Sequence, residues 1–153
     1  MGKKASAKDA ELILKLYDLR REPELRKARN WWLWEFSPRN ADDFLKVANA
    51  GGSEENNWLR QGASYWGMAA SLVRQGVLDE ELFLRPACSG EMFFIFAKVY
   101  PFLTELREKL ADQEVFLDVE KVVTGTKWGR ERLKFILKRI ETMREKKAKE
   151  AQA

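Results

Sequence analysis

The sequence predicts an all-α fold, an irregular bundle of six to eight helices in a single domain spanning residues 1–153. Three observations predict it. Apolar residues return at three- and four-residue spacing from end to end. Most such stretches open on a capping residue or a proline, and several close near a glycine or proline. The connections are short, with no linker, repeat or low-complexity block, so consecutive helices should pack antiparallel.

Taken in order, Ser6 and Asp9 have capping-box spacing, with Asp in place of the usual Glu. Leu12, Ile13, Leu16, Tyr17 and Leu19 then give the first helix an apolar face to about Arg21. Pro23 suits the first turn of a second helix, in which Leu25, Ala28, Arg29, Trp32 and Phe36 share one side. Ser37-Pro38 ends it and begins a third segment carrying Ala41, Phe44, Leu45 and Ala48, which Gly51-Gly52 stops.

Ser53 is an N-cap followed by Glu54 and Glu55 at the positive end of the helix dipole. Trp58, Leu59, Gly62, Tyr65, Trp66, Ala69, Leu72 and Val73 keep helical spacing, and Gly76 falls at the C′ position. Asp79 caps a short fifth helix, with Leu78 and Phe83 placed as a hydrophobic staple, and Arg85-Pro86 ends it. Ser89 is the expected cap of a sixth helix running to about Leu110 and kinked at Pro101. Its part from Met92 to Val99 is apolar all round apart from Lys98, which marks a buried helix.

Asp112 starts a seventh segment. Val115, Phe116, Val119, Val122 and Val123 fit a helix there, while the valines leave a strand over 113–123 open. Thr126 caps the last helix, whose apolar stripe is Trp128, Leu133, Ile136, Leu137, Ile140 and Met143. Residues 1–6 and 147–153 are expected to fray.

Composition excludes several function classes. The chain has no histidine, so it contains no Ser-His-Asp or Cys-His pair and no histidine metal ligand. Its single cysteine, Cys88, allows neither an internal disulfide nor a cysteine-rich zinc site, and suits a reducing compartment. No cofactor or metal site is implied. No apolar run reaches the ~20 residues of a membrane span. The start Met1-Gly2-Lys3-Lys4-Ala5-Ser6 matches a loose myristoylation pattern, which the capping role of Ser6 explains without a lipid.

Three blocks carry a family resemblance. They are Leu16-Tyr17-Asp18-Leu19-Arg20-Arg21-Glu22-Pro23 with the tryptophans at 31 to 34; Ser64 to Val73 with Gly76 and Asp79 to Phe83; and Gly90 to Phe94 through Tyr100-Pro101-Phe102. Together they resemble an uncharacterised family of small all-helical bacterial proteins, a domain of unknown function. The resemblance implies a helical cytoplasmic protein and brings no activity, cofactor or binding residue with it.

Two features stand out as candidate sites. At 100° per residue Trp32 joins Leu25 and Phe36 on the inward face, while Trp31 and Trp34 point elsewhere. Either other helices cover those indoles, or Trp31 and Trp34 belong to a homodimer seam or a ligand groove. Glu35 lies between two of them; a desolvated acid is the functional reading, and a salt bridge to a neighbouring arginine is the plainer expectation. The last helix is basic: Lys127 to Lys149 holds ten Lys or Arg and three Glu, a surplus of seven in a chain whose net charge is +4. Arg132, Arg139 and Lys146 recur every seven residues beside Trp128 and Phe135, with Trp128–Arg132 and Phe135–Arg139 spaced as cation–π pairs. A solvated helix whose side-chain stems cover aromatic edges is the plainer account. A phosphate-binding or acid-binding stripe is the functional one.

Cys88, just before the sixth helix, lacks any histidine base and is read as structural. The acidic clusters at Asp42-Asp43, Glu54-Glu55 and Asp79-Glu80-Glu81 all sit at helix starts, where the dipole explains them. The resulting expectation is a non-enzymatic protein-interaction or scaffold domain of the cytoplasm, with a homodimer one use of its surface. Nucleic-acid or acidic-partner binding through the last helix is an alternative. A small-ligand pocket between aromatic helices, using carboxylates, Tyr65 or Tyr100, is another.

Overall fold

The computed structural model describes residues 4–153. The fragment Met1-Gly2-Lys3 of the myristoylation pattern lies outside the described residues. Helices α1 (Ala7–Leu19), α2 (Pro23–Asn30), α3 (Ala41–Ala48), α4 (Glu54–Arg74), α5 (Glu80–Phe83), α6 (Pro86–Val99), α7 (Leu103–Leu110), α8 (Leu117–Thr124) and α9 (Lys127–Ala151) follow one another, and no strand occurs among the described residues. The valine-rich segment is therefore helical from Leu117 onward. No described helix is long and apolar enough to cross a membrane.

Caps set the boundaries. Ser6 and Asp9 form the reciprocal capping box, and Ser53, Asp79 and Thr126 each accept a first-turn N–H as the sequence predicts. Gly76 adopts φ +74, the left-handed conformation that ends α4. The long α4 packs against α2, α3 and α8, and α6 packs against α8 and α9, so the core fills the space around α4 and α6.

Several boundaries differ from the sequence reading. The α6 helix begins at Pro86, with Arg85 as its N-cap, because proline's fixed φ and absent N–H suit a first turn. Ser89 therefore caps nothing and is buried inside the helix, and Cys88 lies within the first turn rather than ahead of it. The kink expected at Pro101 is a break, a 3₁₀ turn over Tyr100–Phe102 that separates α6 from α7. The seventh segment is not helical from Asp112; Val115 and Phe116 precede α8, and Phe116 takes φ +56. The third helix starts later than Ser37-Pro38, with Asn40 as its N-cap. The last helix continues to Ala151.

The largest departure follows Asn30. There the chain leaves the α-helix and winds as a π turn over Trp31–Glu35, closed by the Phe36 N–H donating to the Trp31 carbonyl at 2.8 Å. Widening the turn brings residues five apart onto one side. The Trp31 and Phe36 rings consequently stack, with centroids 4.4 Å apart and planes 12° apart, and Trp31 is only 5 % exposed. A uniform helical wheel cannot show this. Trp32 is fully enclosed and donates its indole N–H to the Trp58 carbonyl at 3.2 Å. Its ring lies so close to α4 that a Cβ at Gly62 would stand 2.4 Å from Nε1.

Candidate functional site

Of the residues singled out in the sequence, Trp31 and Trp34 part company. Trp31 is in the core, whereas Trp34 is 67 % exposed. They form no common contact surface. Glu35 is exposed, and no ion pair reaches it among the described residues. On α9, Arg139 and Lys146 are exposed and Arg132 is half-buried. The guanidinium of Arg132 lies 4.9 Å from the centre of the Phe135 ring, three residues on, rather than over Trp128. Trp128 instead meets the edge of Phe93 at 5.7 Å. Arg132, Phe135 and Arg139 thus occupy a solvated face of α9, separate from the core stripe of Leu133, Ile136 and Ile140.

Two buried cations went unassigned in the sequence. Lys98 of α6 is 6 % exposed, and its ammonium donates to the carbonyls of Trp32, Leu33 and Phe36. These are carbonyls that the π turn leaves without helical partners, so the lysine closes the turn's C-terminal end. Burial, together with Arg144 and Lys147 nearby, pulls the Lys98 ammonium down to about 8. Arg144 of α9 ties down the next loop through the Ser37 Oγ at 2.9 Å and the Pro38 carbonyl at 3.1 Å.

Arg20 is the second. It follows α1 as its C-cap and is 7 % exposed. Its Nη2 makes one long contact, 3.5 Å, to the Ala87 carbonyl. Its Nε is enclosed without a hydrogen-bond partner, and no carboxylate pairs with it among the described residues. The nearby carboxylate of Glu91 is held in a two-point pair by Arg29, which also reaches back to the Arg20 carbonyl at 3.4 Å. What attends the Arg20 guanidinium is aromatic: its Cζ lies 4.9 Å from the Tyr17 ring centre and 5.7 Å from that of Trp66. Trp66, itself 2 % exposed, has an enclosed indole N–H with no partner. An enclosed donor gains about 1–3 kcal/mol from an acceptor that reaches it, so this corner suits a ligand that brings one.

Both groups stand in the wall of a 300 Å³ pocket between α1, α4 and the start of α6. Ile13, Leu14, Leu16, Tyr17, Tyr65, Ala87 and Cys88 complete it. Tyr65 is fixed there by donating its hydroxyl to the Leu16 carbonyl. Burial pushes its phenol up to about 12, so it is a neutral donor at physiological pH. Leu14 and Tyr17 form an exposed rim. Two larger hollows, of 970 and 560 Å³, are open grooves whose lining holds no enclosed, unpartnered polar group among the described residues.

Sequence reasoning named Tyr65 but missed Arg20. The signal was available: Arg20 continues the stripe of Ile13 and Leu16 at helical spacing, a charge on an otherwise inward face. Lys98 announced itself in the same way, as the lone charge in an apolar run.

A family model described as "Domain of unknown function (DUF4760)" matches residues 5–128. The chain belongs to the DUF4760 family. No curated protein and no solved structure matches it. Every residue lining the Arg20 pocket falls inside the DUF4760 match, as do Trp31, Trp34 and Glu35, whereas Arg132, Arg139 and Lys146 lie beyond it. Tyr17, Arg20, Tyr65 and Trp66 also come from two of the three blocks on which the family resemblance rests.

Proposed function

We propose that this DUF4760 domain is a non-enzymatic binding module whose working part is the pocket beside Arg20. The observation that carries this reading is a buried arginine that, among the described residues, has no carboxylate and an unpartnered Nε, lining one pocket with an indole whose N–H is likewise unpartnered. Binding suits the pocket better than catalysis: its lining offers donors and aromatic faces, with no acid or histidine among the described residues to act as a base. A reducing compartment fits the half-buried, unpaired Cys88 on the same wall. Titration with small anions, followed through the indole N–H resonance of Trp66, tests the reading. Saturable shifts lost in Arg20→Met are expected, and an unmoved Trp66 resonance across all anions would remove it.

A second reading, protein contact, draws on the exposed Trp34. With Trp31 buried, that surface is reduced to one indole and its surroundings. Sedimentation of the wild type beside Trp34→Ala tests it: a concentration-dependent dimer weakened by the substitution is expected, and a monomer in both would count against it.

A further inference from the structure

Resting on the pocket reading above, we infer that the ligand is a small monocarboxylate with an aromatic or branched apolar body. Donor and charge count come first. Arg20 and Trp66 line the pocket, with the Arg20 Nε and the Trp66 indole N–H enclosed behind its surface, and no carboxylate lines it among the described residues, so cations have no partner there. Among the described residues Arg20 is the one charged lining residue, which matches a single negative charge and leaves half of a phosphate dianion uncompensated.

Geometry narrows the anion further. The Nε and Nη2 of a guanidinium form a parallel pair of donors whose spacing matches the two oxygens of a carboxylate. In Arg20 that edge is the free one: Nε has no partner and Nη2 has only its 3.5 Å contact. Glu91 does not compete for it, because Arg29 holds both its oxygens.

The remaining wall sets the body of the ligand. Ile13, Leu14 and Leu16 offer aliphatic surface and Tyr17, Tyr65 and Trp66 offer ring surface, which suits a flat or branched apolar group. A volume of 300 Å³ is at the lower end for ligand pockets and accommodates one ring with a short arm. Nucleotides and long acyl chains are too large. Tyr17 covers the guanidinium from the exposed rim, so the carboxylate reaches Nε as that ring turns outward. The exchange replaces a cation–π contact with charge-assisted hydrogen bonds, which are the stronger interaction.

The test uses phenylacetate, its neutral isostere phenylacetamide, and phenyl phosphate, each titrated into the full chain. The readouts are the Trp66 indole resonance, assigned through Trp66→Phe, and calorimetry. Phenylacetate is expected to bind about tenfold or more tightly than either other probe. Arg20→Lys, which keeps the charge and loses the two-donor edge, should weaken it by about tenfold. Trp66→Phe, read by calorimetry, should weaken it by a smaller factor and serves if an Arg20 variant fails to fold. Equal binding of phenylacetamide, tighter Arg20-dependent binding of phenyl phosphate, or unchanged affinity in Arg20→Lys would overturn the carboxylate assignment while the pocket reading stood. If no probe binds and Trp66 never responds, both fall together.

Discussion

Lys98 and Arg20 are both buried cations with no carboxylate partner among the described residues, and their surroundings are opposite. Lys98 has three carbonyl acceptors, supplied by a π turn that needs a donor. Arg20 has one long carbonyl contact and two rings. The first cation completes the protein's own hydrogen bonding. The second leaves donors that the protein does not use. Burial of charge alone therefore does not mark a site; what matters is whether the chain itself satisfies the buried group.

Lys98→Met should break the comparison hardest. It keeps the apolar stem but orphans the carbonyls of Trp32, Leu33 and Phe36, and a loss of about 3 kcal/mol in denaturant unfolding is expected. Gly62→Ala tests the same region from the opposite side, forcing the enclosed Trp32 ring away from α4. A loss of about 2 kcal/mol is expected by the same measurement.

The pH dependence of unfolding separates the two regions more finely. The Lys98 ammonium holds its proton to 10.5 when unfolded and only to about 8 when folded. The unfolded chain binds more protons between those values, so this group makes stability rise with pH from about 8 to 10.5. Tyr65 does the reverse. Its phenol ionises near 10 unfolded and near 12 folded, so its contribution is complete below pH 10 and is lost as the pH climbs to about 12. Each slope is at most about 1.4 kcal/mol per pH unit. Lys98→Met should flatten the rise and Tyr65→Phe the fall; a fall left intact in Tyr65→Phe would refute its assignment.

Arg20→Met should change stability by less than about 1 kcal/mol, in either direction, since replacing an unpaired buried cation by an apolar chain of similar length removes a cost as well as a contact. A loss as large as that of Lys98→Met would show that Arg20 is structural too. Smallest of all, Arg132→Ser with Arg139→Ser on the solvated face of α9 should stay within about 0.5 kcal/mol of wild type in thermal unfolding.

The helices were legible because their signals are local. Ser6, Ser53, Asp79 and Thr126 need only the next three residues to act as caps, and Gly76 needs only its own φ. The site was less legible. Ile13, Leu16 and Arg20 share an inward face that could be read from spacing, yet nothing in that spacing says that Tyr65, Trp66 and Cys88 stand opposite. Spacing left Trp31 open between cover by other helices and a place at an interface, because a uniform 100° wheel does not anticipate a five-residue turn.

What the sequence alone determined, then, is the class of fold, several of the caps that delimit it, and the absence of histidine chemistry, since these depend on residue identity and near neighbours. Only the tertiary structure decided that Lys98 spends its charge on the backbone and that Arg20 does not. Which acceptors reach a buried donor depends on segments some 65 residues apart in the chain, as Trp32 and Lys98 are, and no local pattern encodes that meeting.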